Sequence, residues 1–381
     1  MRVLHILPSL ASETGGPARS IPQLCRALTK TGLQVTLYAL CGPHTRLTID
    51  PQKEAFEIKL FPSFCGSRQL PTIEFYKTIR RTCSHFDLLH IHSLWNPAVI
   101  AAALAARHEG APYVLSPRGM LDPYCMQRRA LLKRISGAFF ERKIIEGAKA
   151  LHFLNRAELK GSKETIGCHY IYFIVPNGVD LEIANGISSG QFRTAYPQLH
   201  GKKIILFLGR LHWIKDLSLQ LKAVSLLVHD HPDLMWVLIG PDDGEWPRLK
   251  REIASKNLAS YVLWTGTLKE SDCFKALADA DVFVQTSYYE CHSMAVNEAL
   301  AIGTPLVITD TVHFTEVEES GAGRVVSRDP QQLAEAINGV LCASDKAQKM
   351  RIAAKQLATE HFAWPKVAEA MVSAYQKLLR D

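Results

Sequence analysis

The chain alternates between two kinds of segment from its first residues to its last. Short apolar, β-branched runs are separated by stretches with helical spacing. Residues 3–7, 33–40, 58–61, 88–92, 113–116 and 150–154 read as strands, and 73–83, 97–107 and 127–146 read as helices between them. A further helix ends near Gly32, and Ser20 with Gln23 has the spacing of a capping box at its start. A second series of strands runs through 203–208, 235–240, 261–264, 282–284, 305–308 and 321–326. Helices at 330–341, 346–361 and 365–379 close the chain. Strands apolar on both faces and alternating with helices require parallel sheets covered on both sides. The polar, irregular stretch 185–201 separates the two series. The fold class is therefore α/β, with doubly wound domains at 1–185 and 186–361 and a C-terminal helix at 362–381.

At 381 residues the chain is long enough for two cores. The formal net charge of +7 suits an anionic substrate or surface, or simply a solvated exterior. Nine scattered cysteines without a CxxC pair argue against both a disulfide framework and a zinc site. The first eight residues do not form a signal peptide, and no apolar run reaches the roughly 20 residues of a membrane helix. A cytoplasmic protein is expected. No nucleic-acid partner is expected.

In open parallel sheets, ligands sit beyond the carboxyl ends of the strands. In the first half, three polar loops lie there. Residues 12–19 contain Gly15 and Gly16, a pair that lets a backbone approach phosphate or makes a plain tight turn. This is not a G-x-G-x-x-G fingerprint, so a nicotinamide cofactor is not indicated. His90 and His92 share a face of their strand, but no third metal ligand lies near them in sequence. His92, at the strand end, is the better ligand-contact candidate. Ser116-Pro117-Arg118-Gly119 places an arginine where it can bind an oxyanion, or pair with a local carboxylate. Segment 127–149 holds Arg128, Arg129, Lys133, Arg134, Arg142 and Lys143 among apolar residues. Such a helix is either a solvated surface or a peripheral contact with an anionic membrane.

In the second half, Gly209-Arg210 and Lys215 follow a strand and precede a helix, a suitable cradle for a diphosphate. Gly240 opens a turn in which Asp242 and Asp243 suggest a turn more than a magnesium site. Ser293 can cap a helix over 293–302, and Gly303 follows where a C-terminal glycine belongs. Glu290 and Glu298 bracket that helix start. Free amides at Ser293 and Met294 would meet an anion, and the two carboxylates would accept hydroxyl hydrogen bonds.

Glu290 and Glu298 fit an E-x7-E element, Glu298-Ala-Leu-Ala-Ile-Gly-Thr-Pro-Leu-Val307 fits its continuation, and Gly209-Arg210-Leu211 with Lys215 fits G-R-L-x-x-x-K. Pro176-Asn177-Gly178-Val179-Asp180 fits P-N-G-V-D. Together these resemble glycosyltransferase family 4, whose enzymes retain anomeric configuration. The resemblance runs the length of the chain. It departs at Cys291-His292-Ser293, where the family's loop glycines are missing.

The resemblance implies the GT-B fold, two Rossmann-like domains facing across a cleft, with the final helix crossing back to the first. It implies a nucleotide-diphosphate sugar as co-substrate, no metal or other cofactor, and a glycan or lipid-linked acceptor. Arg210 and Lys215 would bind the donor diphosphate, with Gly15, Gly16, Gly209 and Gly240 close to the nucleotide and Leu268 beside the base. Glu290 would hold sugar hydroxyls and Glu298 the ribose. Arg19, His92 and Arg118 would lie on the acceptor side, with Arg118 counted among the catalytic groups beside Glu290, Arg210 and Lys215. No residue stands out as a covalent nucleophile, consistent with a departing phosphate that takes the acceptor's proton. Two other readings stay open: a sugar-nucleotide epimerase of the same fold, and a silent partner subunit that binds a sugar nucleotide.

Overall fold

A computed structural model of the chain describes residues 1–11, 14–42, 45–64, 70–127 and 130–380, apart from the side chains of 132, 134 and 138. Within them the apolar runs form β1 (Arg2–Leu7), β2 (Gln34–Cys41), β3 (Glu57–Pro62), β4 (Leu88–His92), β5 (Tyr113–Ser116), β6 (Ala150–Phe153) and β7 (Tyr172–Ile174). These strands make one sheet in the order β3-β2-β1-β4-β5-β6-β7, and every pairing is parallel. The later runs form β8 (Lys203–Leu208), β9 (Leu234–Ile239), β10 (Val262–Gly266), β11 (Val282–Gln285), β12 (Leu306–Thr309) and β13 (Gly323–Val326). They make a second parallel sheet, β10-β9-β8-β11-β12-β13. In each sheet the order reverses at the first strand of its series, the pattern of a doubly wound fold.

The chain divides into two compact units, Met1–Gly178 with the segment from Trp364 onward, and Val179–Ala363. In the first unit, alternate residues sort into two cores, as the pleat requires. Leu4, Ile6, Leu89, Ile91, Leu115 and Phe153 pack beneath the helices Ile73–Thr82 and Pro97–His108. Val3, Leu7, Leu37, Leu88 and Val114 pack on the other face, beneath Gly16–Lys30 and Trp364–Arg380. The last helix presents Trp364, Val367, Met371, Tyr375 and Leu378 to that core, the spacing of one helical stripe. The second unit repeats the scheme. Ile204, Leu206, Val237 and Phe283 face one way, and Ile205, Phe207, Trp236 and Val282 the other.

Two boundaries differ from the sequence expectation. The first division falls after Gly178 rather than at 185, because Val179 and Ala184 are buried in the second unit's core and the Val179 amide donates to the Phe362 carbonyl (2.7 Å). Gly178 stays with the first unit: a Cβ there would lie 2.4 Å from the Trp364 indole. The helix expected to start at Ser20 starts at Gly16, with Gly15 at its N-cap and Pro17 in its first turn. Proline preorganises that first turn, so Ser20 lies inside the helix, buried, and caps nothing. The helix Arg156–Ile166 and the short edge strand β7 add to the elements expected in the first unit.

Candidate functional site

In the second unit, two strand ends approach so closely that only glycine fits. A Cβ on Gly240 would lie 1.9 Å from the Gly209 carbonyl oxygen, and Gly240 has φ +141°. From this contact the chain leaves β8 through Arg210 and turns into Trp213–Lys215. A Cβ on Gly209 would lie 3.8 Å from the Lys215 side chain, so the ammonium stem lies against the glycine. The Lys215 Nζ donates to Glu290 Oε1, and Ser287 Oγ donates to the same oxygen at 2.8 Å. Both partners of this ion pair are mostly buried, at 18% and 16% side-chain exposure.

The loop carrying Glu290 is tied down residue by residue. Thr286 Oγ1 donates to the Lys215 and Asp216 carbonyls (3.0 and 3.1 Å), and the Tyr288 amide donates to the Ile214 carbonyl (2.8 Å). Ser293 accepts from the Val296 amide at 3.3 Å as the N-cap of Met294–Ile302, and its hydroxyl donates to Gln285 Oε1 at 2.7 Å. Gln285 Nε2 then donates to Ser287 Oγ (3.3 Å). One relay of hydrogen bonds thus connects the helix N-terminus to Glu290 and Lys215. Gly303 closes the helix at φ +83°, the left-handed C-terminal position.

The loop works without the glycines that the resemblance leads one to expect. Among its described residues none from Glu290 to Met294 adopts a left-handed φ. The His292 ring lies 4.9 Å from Phe314 and 5.7 Å from Phe362, so this side chain anchors the loop in an aromatic cluster. Glu298 is buried in the second turn of the helix.

Arg210 and the acidic turn behave differently. Arg210 NH1 pairs with Asp243 Oδ2 at 2.5 Å, with both side chains about two-fifths exposed. Asp242 Oδ1 accepts from the amides of Gly244, Glu245 and Trp246 at 2.9–3.0 Å. It is spent on turning the chain into the helix Trp246–Ser255, which favours the turn over a magnesium ligand. Leu268 is half-buried against the core.

The first unit brings its candidates together around Arg118. Arg118 sits at the end of β5 with φ +56°, a strained position for a non-glycine residue. Its NH1 donates to Asn177 Oδ1 (2.8 Å) and its NH2 to His92 Nδ1 (3.3 Å). His92 is itself fully buried, so the ring presents no open surface for the direct ligand contact expected of it. Its Nε2 lies 3.0 Å from His5 Nδ1. A second chain runs from the Tyr375 hydroxyl to His90 Nδ1 (2.6 Å), from His90 Nε2 to His152 Nδ1 (3.3 Å), and from His152 Nε2 to the Val175 carbonyl (2.8 Å).

The ends of these chains fix every proton in them. A guanidinium only donates, so His92 Nδ1 accepts, its Nε2–H donates to His5 Nδ1, and His5 carries its proton on Nε2. A carbonyl only accepts, so His152 donates from Nε2, His90 donates to it, and Tyr375 donates to His90. All four imidazoles are neutral: burial lowers His5 and His152 from 6.5 to about 3, and holds His90 and His92 well below the ordinary value.

The third imidazole that the sequence near His90 does not offer thus arrives from β1. The ring nitrogens of His5, His90 and His92 lie within 4.8 Å of one another, a spacing a metal ion can use. The hydrogen-bond chains and the guanidinium beside His92 account for the cluster as a polar network, and the positive charge opposes a second cation there.

Beside this network lies a cavity of about 640 Å³, lined by residues that include Pro8, Thr14, Ser93, Trp95, Asn96 and Lys133. Gly15 supplies the N-cap of Gly16–Lys30, while Gly16 and Arg19 are exposed on that helix. Residues 12 and 13 of the glycine loop, and Arg128 and Arg129, lie outside the described residues.

Two family models match, glycosyl transferase 4-like domain over residues 15–178 and glycosyl transferases group 1 over 190–357. Together they make the chain a glycosyltransferase of the family 4 type. Among curated proteins, this transferase is 25% identical to the phosphatidyl-myo-inositol mannosyltransferase of Mycobacterium leprae (strain TN), over 99% of this chain and 96% of that one. It is 32% identical to spore coat protein SA of Bacillus subtilis (strain 168), in a match spanning 47% of this chain and only 50% of that protein's length. Among solved structures, Anabaena HepE in complex with UDP and glucose superposes with a TM-score of 0.79 at 16% identity, over 99% of this chain and 100% of the other. The fold is the two-domain GT-B fold.

In this transferase the residues that sequence reasoning missed are those that hold others in place. Gln285 and Ser287 orient Glu290, and Asn177 and His5 complete the surroundings of Arg118. Only Asn177 had a visible signal, since it lies in the P-N-G-V-D turn.

Proposed function

We propose that the protein transfers a hexosyl group from a nucleotide-diphosphate sugar to a glycan or lipid-linked acceptor, with retention of anomeric configuration, in glycolipid or polysaccharide synthesis. The observation that supports this most is the Lys215–Glu290 pair wired through Ser287 and Gln285 to the capped helix at Ser293. A cation, a carboxylate and a helix N-terminus are the groups that a sugar joined to a diphosphate requires.

When the anomeric C–O bond breaks, negative charge grows on the departing diphosphate. Lys215, Arg210 and the amides at Ser293 and Met294 stabilise it in proportion to how well they are preorganised. Glu290 Oε1 holds Lys215, and Oε2 is the oxygen offered to a sugar hydroxyl. Glu298 accepts from the ribose, and the Gly209/Gly240 contact lets the backbone approach the nucleotide. The departing phosphate oxygen takes the acceptor's proton. Arg118 binds an anionic or hydroxyl-rich part of the acceptor, and the cavity near Trp95 and Asn96 receives the rest.

The test is release of nucleoside diphosphate by purified protein, first with UDP-glucose, since UDP and glucose occupy the HepE structure. Release that requires acceptor, yields a product of retained configuration, and falls about 10²–10³-fold in Glu290→Gln supports the reading. Conversion of the donor into a second sugar nucleotide, without net release of nucleoside diphosphate, points to an epimerase. Donor binding with no turnover across acceptors points to a silent subunit. Either outcome overturns the proposal.

A further inference from the structure

Asp216 directly follows Lys215, and its backbone is left-handed, with φ +47°. Glycine alone adopts that region without strain. The residue stands at the N-cap of the helix Leu217–Leu227, where an aspartate normally accepts from the first free amides. It makes no such bond. Its carboxylate is taken instead by Arg328, whose NH2 donates to Asp216 Oδ2. The aspartate and arginine side chains are 11% and 28% exposed, so the pair is largely withdrawn from water. Without its partner, the carboxylate would be a buried charge at a strained turn.

Arg328 makes a second contact. Its guanidinium carbon lies 3.8 Å from the centre of the Tyr288 ring, within reach of a cation–π contact. Tyr288 precedes Glu290 by two residues, and its amide donates to the Ile214 carbonyl. One side chain therefore grips both segments that supply the Lys215–Glu290 pair. It comes from a third loop, two residues beyond the end of β13, the edge strand of the second sheet. Strands β8, β11 and β13 run parallel, so the three loops leave the sheet from the same edge.

We propose that Arg328 is a positioning residue for the donor site, fixing through Asp216 and Tyr288 the turn that aims the Lys215 ammonium at Glu290 and the departing diphosphate. A lysine at 328 would carry the same charge, but it has no plane to lay on Tyr288 while a second nitrogen reaches Asp216. The inference rests on the transferase reading for the task given to Lys215. That ammonium acts most strongly as charge grows on the leaving group. Loss of Arg328 therefore falls on kcat more than on the donor KM.

The full chain is tested in two ways: nucleoside diphosphate release from UDP-glucose, and amide hydrogen exchange. Arg328→Met keeps an unbranched side chain and removes the charge. In it, the amides of 213–217 and 286–290 should exchange at least roughly tenfold faster, with β8 and β9 protected as in the parent. Its kcat should fall about 10–100-fold, with the donor KM within about threefold. Adding Asp216→Gly should recover most of that loss, because glycine takes the left-handed turn unaided and leaves no charge behind. A lower melting temperature with kcat intact would make the arginine merely structural and overturns the proposal. So does a fall in kcat that Asp216→Gly does not relieve, or unchanged exchange in both segments. If Arg328→Met does not fold, Arg328→Lys takes its place, with the same expectations at smaller size and the same refutations. If the parent releases no nucleoside diphosphate with any acceptor, the transferase reading fails, and exchange alone decides whether Arg328 holds the turn.

Discussion

At the centre of the first unit's sheet, β1 and β4 set His5 beside His90. At the matching place in the second unit, β8 and β11 set Leu206 beside Phe283. The strand order is shared, and the filling is not. An aliphatic core such as the second unit's gains stability from every contact and directs none of them. A buried imidazole must stay neutral and hydrogen-bonded, and in return it has a direction. The first unit spends that direction on Arg118, held in a left-handed backbone by Asn177 and His92. The second unit holds Lys215 from loops outside its core, through Glu290, Ser287 and Gln285. One architecture thus orients a cation from within and the other from its rim.

Acid should separate the two units most strongly. His5 and His152 are lowered from 6.5 to about 3. Between those values the unfolded chain binds protons that the folded unit refuses. The stability these groups contribute is therefore complete above pH 6.5 and is lost as pH falls toward 3. Each imidazole removes about 1.4 kcal/mol per pH unit through that window, and His90 and His92 add in the same direction. Domain stabilities are about 5–15 kcal/mol, so the first unit should unfold well before pH 3. Hydrogen exchange across an acid titration should show its amides opening first. Simultaneous opening of both units would break the comparison.

The rim of the second unit should matter for turnover rather than for folding. Glu290→Gln keeps the shape and removes the charge that orients Lys215. Turnover is expected to fall about 10²–10³-fold, with a melting temperature close to that of the parent. Equal activity in the variant would reject the role given to Glu290.

The inner network offers the reverse case. Tyr375→Phe leaves His90 Nδ1 a buried acceptor with no donor at 2.6 Å. The ring cannot relieve this by changing tautomer, because His152 is pinned by the Val175 carbonyl. The expected loss is about 1–3 kcal/mol, confined to the first unit in hydrogen exchange. A loss spread over both units would show that the network is not local.

How far each site was legible comes down to the same contrast. Most strands were visible because both faces are buried, so their runs are apolar throughout; β7 lies in the equally apolar run Ile171–Val175, but it is three residues long and exposed at both ends, and it was missed although its trace was there. Glu290, Lys215 and Ser293 stood out because loops of the second unit place them close in sequence to glycines and a helix start. His5 did not, since nothing local distinguishes a histidine inside an apolar strand; its partner His92 lies 87 residues away. Gln285 was hidden at the end of a buried strand for the same reason. Asn155 and Glu158 did carry a capping-box signal for the helix that was missed, and there the Glu158 amide donates to Asn155 Oδ1 at 2.8 Å.

The smallest expected effect tests whether the rim is wired or merely adjacent. Ser293→Ala removes a helix cap, which alone costs about 1 kcal/mol. It also releases Gln285 Oε1, whose amide orients the Ser287 hydroxyl toward Glu290. If the relay matters, turnover falls by more than the stability loss accounts for, while Ser293→Thr, which keeps a hydroxyl at the cap, restores both. If the cap alone matters, Ser293→Asp restores stability and turnover together, because an aspartate caps a helix equally well. A carboxylate there cannot donate to Gln285 Oε1, so under the wired reading Ser293→Asp recovers the fold and not the rate.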